Sequence, residues 1–177
     1  VSLSGNILAV GAEESDPDGI SNAGAAYLYR LEANDSISFL TKVTAPDKNT
    51  SDFFGSSVSQ SGNILAVGAS LSDPDGISNA GAAYLYRLEA NGSATFITKV
   101  TAPDKTSGDW FGSFVSQSGN ILAVGARFSD PDGISDAGSA YLYRLEANQS
   151  VSFLTKVTAP DKASGDRFGL KVSQSGN

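Results

Sequence analysis

The chain has 177 residues, of which 12 are basic and 19 acidic, a formal net charge of −7, and no cysteine, histidine or methionine. These absences exclude disulfides, thiolate or imidazole metal sites, cysteine nucleophiles and serine–histidine triads. The basic residues are scattered rather than gathered in a stripe, which disfavours a nucleic-acid partner. No apolar run approaches the roughly 20 residues that a membrane span needs.

The tripeptide Ser-Gly-Asn recurs at a constant spacing of 57 residues. It occupies residues 4–6, 61–63, 118–120 and 175–177. A strict period of this length indicates stacked or radially arranged supersecondary units. We therefore divide the chain into repeats at 1–57, 58–114 and 115–171, followed by the start of a further repeat at 172–177. Because the sequence runs in phase with its repeat, we expect it to be a piece of a longer array.

The second repeat predicts four short strands. Residues 55–60 form a small-residue strand (A) that ends in a tight Ser-Gly-Asn turn. Ile64–Ala69 is a continuous apolar run (B), too short for a helix and expected to be buried on both faces. Ala82–Leu88 (C) has aromatic residues at every second position in its middle. Residues 94–101 (D) alternate and are rich in β-branched residues, and Pro103 ends the strand. Four antiparallel strands without a helical period predict an all-β fold, with one β-propeller blade per repeat.

Each repeat contains a Phe-Gly pair, and in the first two cases a strand with valine and then a Gly-Ala pair follow it. This order resembles the FG-GAP repeat of integrin α-subunit propellers and related bacterial surface proteins. The Phe-Gly pairs are Phe54-Gly55, Phe111-Gly112 and Phe168-Gly169, and the Gly-Ala pairs that follow the first two are Gly68-Ala69 and Gly125-Ala126. The segment Gly-Ala-Ala-Tyr-Leu-Tyr at 24–29 and 81–86 is also similar to that family's strand C. The resemblance covers the whole chain and implies a propeller whose location is extracellular or at the cell surface.

The chain departs from this family at one motif. Family members often carry a calcium loop, Asp-x-Asp-x-Asp-Gly, between strands A and B. Here that connection is Ser-Gln-Ser-Gly-Asn, which contains no carboxylate. We therefore do not expect calcium at the family's usual position.

The B–C and D–A loops share one face of an antiparallel blade, and the A–B and C–D turns share the other. The largest chemical differences between the repeats fall on the B–C/D–A face, where loops on a rigid scaffold often carry recognition. The resemblance implies the ligand side there too; the alternative is that loops simply vary faster than strands. Aromatic and arginine side chains dominate binding hot spots. The candidate ligand-binding residues are Glu13, Glu14, Phe53, Leu71, Trp110, Arg127, Phe128 and Arg167.

An Asp-Pro-Asp-Gly motif lies in each B–C loop. A type I turn with Asp first, Pro second and Gly last explains every residue of the motif. The alternative is a calcium loop, although calcium takes six to eight oxygens and each motif has only two carboxylates. The candidate calcium ligands are Asp16, Asp18, Asp73, Asp75, Asp130 and Asp132.

Three further sets of residues recur with the repeat. The aspartates two residues before each Phe-Gly pair are expected to accept backbone N–H bonds and so to hold the D–A loop; a general acid or base is the alternative. The strand C tyrosines are expected to pack between blades rather than to form a ligand cage. Glycosylation acceptor patterns fall in the C–D turns, where turn chemistry is the alternative explanation. The acceptor asparagines are Asn34, Asn91 and Asn148.

Three blades do not close a ring, since propellers typically need about four to eight. Open blades expose apolar faces and unpaired edges, so we expect either further repeats in a longer parent chain or assembly of copies. Two copies would make a six-bladed ring, and unclosed head-to-tail addition would make a fibre. Because residues 1–6 closely match 172–177, the latter could complete a blade of a neighbouring copy.

The sequence therefore predicts a non-catalytic adhesion or binding module that is extracellular or at the cell surface. Its partner would be a protein or glycan bound at the B–C/D–A face, with calcium as the candidate cofactor. The alternative is a structural protein whose repeats form an extracellular fibre or stalk, which the near identity of the repeats favours. An enzyme is not expected, because nothing in the sequence resembles an acid–base pair or an activated nucleophile.

Overall fold

The computed structural model of the protein describes residues 1–175; Gly176 and Asn177, at the end of the predicted start of a further repeat, lie outside the described residues. The described chain forms three four-stranded sheets, and in each sheet the strands pair antiparallel in sequence order. The predicted all-β fold with one four-stranded antiparallel blade per repeat is confirmed.

The strands follow the predicted pattern closely. Blade 1 contains β1 (Ser2–Ser4), β2 (Ile7–Ala12), β3 (Ala25–Leu31) and β4 (Ile37–Val43). Blade 2 contains β5 (Phe54–Ser61), β6 (Ile64–Ala69), β7 (Ala82–Leu88) and β8 (Ala94–Val100). Blade 3 contains β9 (Phe111–Ser118), β10 (Ile121–Ala126), β11 (Ser139–Leu145) and β12 (Val151–Val157). The repeat boundaries after residues 57 and 114 fall inside β5 and β9, so each sheet is offset from the 57-residue repeat.

The apolar core lies between neighbouring blades. Every residue of β6 is buried, as its uninterrupted apolar sequence predicts, because blade 1 covers one face and blade 3 the other. Phe54 is fully buried, and its ring centroid lies 5.4 Å from that of Tyr84 in an edge-to-face arrangement. Together these side chains remove a continuous apolar surface from water, which is the main stabilising contribution of each blade.

The Phe-Gly and Gly-Ala pairs have a common structural reason. A Cβ atom added to Gly68, in the Gly-Ala pair of blade 2, would lie 1.9 Å from the carbonyl oxygen of Gly112, in the Phe-Gly pair of blade 3. At the first junction, a Cβ atom added to Gly11 would likewise lie 2.0 Å from the carbonyl oxygen of Gly55. Neighbouring blades therefore touch backbone to backbone at these positions, and no side chain fits between them.

The first strands of neighbouring blades lie side by side and are linked by serine hydroxyls; we call β1, β5 and β9 the inner strands. The Ser2 hydroxyl accepts the Gln60 backbone N–H at 2.9 Å, and the Ser59 hydroxyl accepts that of Gln117 at 2.9 Å. Short hydroxyl side chains suit this position, because they satisfy a backbone donor of the next blade without separating the strands.

The Asp-Pro-Asp-Gly motif is a turn, but not the predicted type I turn. In blade 1, the backbone N–H of Gly19 donates to the carbonyl of Asp16 at 3.2 Å, which closes the four-residue turn. Asp18, at the third position, has φ 56° and ψ 23°. A positive φ at the third position is the mark of a type II turn, whereas type I keeps φ near −90° there. The type I prediction is therefore wrong.

The candidate ligand-binding face

The B–C and D–A loops lie together at one end of the blades, as the antiparallel pairing predicts. The backbone N–H of Phe53, in a D–A loop, donates to the carbonyl of Asn22, in a B–C loop, at 3.1 Å. Trp110 makes the same bond to Asn79 at 3.2 Å. Each D–A loop is thus held against the B–C loop of the blade it leaves.

The aspartate ahead of each Phe-Gly pair holds the D–A loop from within, as predicted. Asp52 accepts the backbone N–H of Asn49 at 2.5 Å, and Asp109 accepts that of Thr106 at 2.7 Å. Asp166 makes the equivalent bond to Ala163 at 2.6 Å. Burial raises the pKa of Asp52, and the bond from Asn49 opposes this effect only in part. All three carboxylates are bonded within their own loop, as the predicted loop-holding role requires, and the acid–base alternative stays open.

Three bulky residues at the end of the D–A loops adopt a left-handed backbone. Phe53, Trp110 and Arg167 have φ of 55°, 56° and 54°. This region is unfavourable for large side chains and persists only where the surrounding structure imposes it. The loop bonds described above impose it here, and they turn the three side chains into defined positions on the B–C/D–A face.

The structure brings most of the predicted ligand-binding residues together. Glu13, Phe53, Leu71, Trp110 and Arg127 line one cavity of about 350 Å³, which we call the Trp110 cavity. Three serines complete its wall: Ser56, Ser70 and Ser113. The sequence does not single out these serines as binding residues, because serine is equally typical of an inner strand, where Ser56 and Ser113 lie, and of a loop, where Ser70 lies.

The remaining predicted residues divide into two groups. Phe128 and Arg167 stand beside the Trp110 cavity, since the Arg167 guanidinium lies 5.0 Å from the Phe128 ring centroid and Phe128 contacts Trp110. Glu14 is exposed and does not line the cavity. Seven of the eight candidates therefore line or adjoin the Trp110 cavity, and we call these seven residues the cluster. Glu14 lies outside it.

Arg127 lies at the centre of the cluster. Its guanidinium carbon is 4.7 Å from the Trp110 ring centroid and 4.9 Å from that of Phe128, while the two rings meet edge to face at 4.7 Å and 83°. Cation–π contacts of this kind stabilise a partly desolvated guanidinium. The aromatic side chains therefore hold the arginine in one position at the cavity wall.

The electrostatics of the cluster favour an incoming negative charge. Burial lowers the pKa of Arg127, and the positive charge of Arg167 lowers it further, whereas Glu13 raises it. No ion pair joins Arg127 to Glu13 within residues 1–175, and the buried Nε atom of Arg127 has no hydrogen-bond partner there. A ligand carboxylate or sulfate would compensate both arginines.

The candidate calcium residues are engaged by the protein itself. Asp16 accepts the backbone N–H of Asn22 at 2.7 Å, and Asp18 pairs with Lys48 at 3.1 Å. The other two motifs repeat both contacts, through Asp73 and Asp130 and through Asp75 and Asp132. Among residues 1–175, no group of three or more acidic side chains is arranged to hold a metal ion. Calcium binding here stays a prediction.

The glycosylation acceptor asparagines lie at the opposite end of the blades. The Asn91 side-chain oxygen accepts both the backbone N–H of Ser93 at 3.0 Å and its hydroxyl at 2.7 Å. Asn34 and Asn148 make the same pair of bonds. These side chains thus stabilise the C–D turns, and their glycosylation stays a prediction.

The strand C tyrosines of blades 2 and 3 pack between blades, as predicted, whereas Tyr27 and Tyr29 of blade 1 are only partly buried because no preceding blade covers them within residues 1–175. The Tyr84 hydroxyl donates to Asp47 Oδ1 of the preceding blade at 2.9 Å, and Tyr86 donates to the Thr44 carbonyl at 2.9 Å. Sequence reasoning did not identify Asp47 as a functional residue. The signal for it was present, however, because the Ala-Pro-Asp triplet recurs unchanged at Asp47, Asp104 and Asp161.

Comparison with known proteins agrees with this architecture. A family model described as FG-GAP repeat matches residues 38–86 and 95–143, more than half of the chain. The chain therefore belongs to the FG-GAP repeat family, as the Phe-Gly and Gly-Ala pairs predicted. A search of curated proteins gave no match.

Among solved structures, the chain is similar to Sqt1 from Chaetomium thermophilum, with a TM-score of 0.53 and 16% sequence identity. The similarity covers 92% of this chain but only 37% of Sqt1. At this identity it shows a shared propeller-type fold and nothing about activity. Within residues 1–175, no helix has both the length and the apolar character to cross a membrane.

Proposed function

We propose that this FG-GAP repeat chain is a non-catalytic adhesion or binding module, extracellular or at the cell surface, whose Trp110 cavity takes an acidic group of a protein or glycan ligand. The observation that carries the proposal is the position of Arg127, which is stacked on Trp110 and Phe128 at the wall of a cavity. Aromatic and arginine residues that are fixed before binding lose little conformational entropy when a ligand arrives.

Among residues 1–175, this cluster forms at one junction, between blades 2 and 3. The position of Arg127 is occupied by Glu13 in the first repeat and by Ser70 in the second, and the position of Phe128 by Glu14 and Leu71. The interior of the blades is nearly identical in all three repeats, so these changes alter the loop face while leaving the scaffold intact. This asymmetry is the pattern of a recognition surface on a repeated framework.

The proposal has a direct optical test, because Trp110 is the single tryptophan of the chain and lies in the cavity. Acidic peptides, uronic-acid oligosaccharides and their neutral counterparts would be titrated while tryptophan fluorescence is followed. We expect a saturable change with acidic probes only. Arg127→Ser, which introduces the serine found at the same position of the second repeat, should weaken that binding at least tenfold, or about 1.4 kcal/mol.

The matched control is Arg144→Ser. Arg144 is an exposed residue of β11 that pairs with Ile121, at the end of the blade opposite the Trp110 cavity. Both variants remove one positive charge, so a general electrostatic effect would weaken binding equally in both. Equal affinity of Arg127→Ser and the unaltered chain, or no saturable response to any probe, would count against the proposal.

A structural role is the second candidate function, and a different observation favours it. The contact between Tyr84 and Asp47 is repeated between Tyr141 and Asp104 with the same 2.9 Å distance. A junction that repeats without change can add further blades, and where the rotation per blade does not close a ring the addition continues, as the body of a fibre or stalk requires. Electron microscopy of the concentrated chain would show filaments in that case.

A further inference from the structure

The two junctions between blades are built from the same three side chains. At the first junction, Asp47 accepts the Tyr84 hydroxyl at 2.9 Å and the Lys99 amine at 2.8 Å. At the second junction, Asp104 accepts Tyr141 at 2.9 Å and Lys156 at 2.7 Å. In both cases the aspartate follows the last strand of one blade, and the tyrosine and lysine belong to the next blade.

The two end blades carry the separate halves of a third junction. Tyr27 and Lys42, on blade 1, correspond to Tyr84 and Lys99, and Asp161, after blade 3, corresponds to Asp47. The Lys42 amine already lies 5.6 Å from the Tyr27 ring centroid, as the Lys99 amine lies 5.4 Å from that of Tyr84. Tyr27 and Lys42, the hydrogen-bond donors, therefore have the junction arrangement although no acceptor aspartate among residues 1–175 contacts them.

The apolar part of the junction is also exposed at the end blades. Val43 and Val100 are 5% and 6% exposed inside the two junctions, whereas the corresponding Val157 of blade 3 is 39% exposed. On blade 1, Ile37 is 58% exposed, while its counterpart Val151 packs against the core of the second junction. The exposed face of blade 3 matches the faces of blades 1 and 2 that are buried in the two junctions. The exposed face of blade 1 matches the faces of blades 2 and 3 that they contact there. The two exposed faces are therefore complementary.

The chain after blade 3 continues the inner-strand contacts. Phe168 forms a parallel bridge with Gly138, as Phe111 does with Gly81. The Gln174 backbone N–H donates to the Ser116 hydroxyl at 3.1 Å, which repeats the serine link between earlier inner strands. Residues 168–175 thus lie where the inner strand of a fourth blade would begin.

We propose that blade 3 of one chain docks onto blade 1 of a second copy of this chain. Asp161 of one copy accepts the Tyr27 hydroxyl and the Lys42 amine of the other, and Val157 is buried against the blade 1 face. Residues 168–175 take the inner-strand position against β2 of the second copy, in place of its three-residue β1. This docking is independent of ligand binding at the Trp110 cavity.

The test is the mass of the chain in solution, measured by sedimentation over a range of concentrations, with a charge exchange across the junction. We expect the unaltered chain to form a defined multiple of 18.2 kDa. Asp161→Lys places two lysines opposite each other, and Lys42→Asp places two aspartates there, so each variant alone should associate at least tenfold more weakly. An equimolar mixture of the two variants restores opposite charges at every junction and should recover the assembly.

Recovery in the mixture excludes misfolding as the cause of the single-variant losses. Glu89→Lys is the matched control, since it reverses a partly exposed charge on the interior blade and should leave the mass unchanged. A chain that stays at 18.2 kDa at its highest soluble concentration overturns the proposal and leaves the end faces to another occupant, such as further repeats of a longer chain. Unchanged assembly of both single variants overturns it as well.

Discussion

The hydroxyl of Tyr84 donates a 2.9 Å hydrogen bond to Asp47, a residue 37 positions earlier that belongs to the preceding blade. Burial by itself would raise the pKa of Asp47, but the hydrogen bonds from Lys99 and Tyr84 outweigh burial and hold that pKa below its usual value. Burial first, and the Asp47 charge second, raise the pKa of Tyr84 far above the ordinary phenol value. The pair therefore keeps a neutral donor and a charged acceptor across the junction.

Removal of the Tyr84 hydroxyl should weaken the fold measurably. Tyr84→Phe deletes one hydrogen bond to a charged acceptor, and because Asp47 remains half exposed and paired with Lys99 we expect a loss of about 1 kcal/mol. The free energy of unfolding in urea measures it. Tyr27→Phe is the matched control and should cost under about 0.5 kcal/mol at concentrations where the chain is a single copy, because no preceding blade covers Tyr27.

The junction aspartates should make the fold sensitive to acid. Because the folded pKa values of Asp47 and Asp104 are lowered, their contribution is present above the unfolded pKa near 3.8 and is lost as pH falls through the folded values. Asp52 and Asp109 have raised folded pKa values, so their contribution has the opposite sign. We expect the Asp47→Asn/Asp104→Asn variant to lose less stability between about pH 5 and pH 2 than the unaltered chain.

Urea unfolding at each pH measures this difference. A variant with an acid dependence as steep as that of the unaltered chain would show that other carboxylates control acid unfolding. The Asp52→Asn/Asp109→Asn variant is a control with the opposite expected sign. It removes two carboxyl groups whose folded pKa values are raised, so it should lose stability more steeply on acidification than the unaltered chain.

Gly68 should not tolerate a side chain. Its added Cβ would lie 1.9 Å from the Gly112 carbonyl, so Gly68→Ala must separate blades 2 and 3 and should cost on the order of 3 kcal/mol or more. Thermal unfolding followed by circular dichroism measures the change. Gly62→Ala separates this contact from backbone strain, because Gly62 has φ +58° but open space around it, and should cost only about 1–2 kcal/mol.

Glycine should be more stable than alanine at position 167, where the backbone is left-handed. Arg167 is exposed and has φ 54°, so little packing is lost when the side chain is removed. Arg167→Gly removes the left-handed penalty at some cost in chain entropy, and we expect it to be more stable than Arg167→Ala by roughly 0.5–1 kcal/mol. Equal unfolding midpoints of the two variants in urea would contradict this assignment of strain.

Metal removal should leave the fold unchanged. In each Asp-Pro-Asp-Gly motif one carboxylate is bonded to the backbone and the other to a lysine, as Asp16 and Asp18 show. We therefore expect the same melting temperature with excess calcium and with a chelator. A rise with calcium would identify these turns as binding sites, and it should then disappear in Asp16→Asn and its two counterparts.

Much of the fold could be predicted from local sequence. The apolar run Ile64–Ala69 indicated a strand buried on both faces, and its bounds are those of β6. The Asp52 side chain holds its own loop three residues away, which a local pattern also predicts. By contrast, the turn type at Asp16 was wrong, because a proline at the second position fits both type I and type II turns and only the surrounding loop decides between them.

The sequence by itself determined the repeat, the four strands of each blade, the C–D turns and the family, because each depends on residues close together in the chain. The tertiary structure decided which distant groups meet. Arg127 stacks on Trp110 from a different loop, and Tyr84 finds Asp47 across a blade junction. These contacts form only when the blades pack side by side, so the Trp110 cavity and the exposed ends become visible only in the packed array.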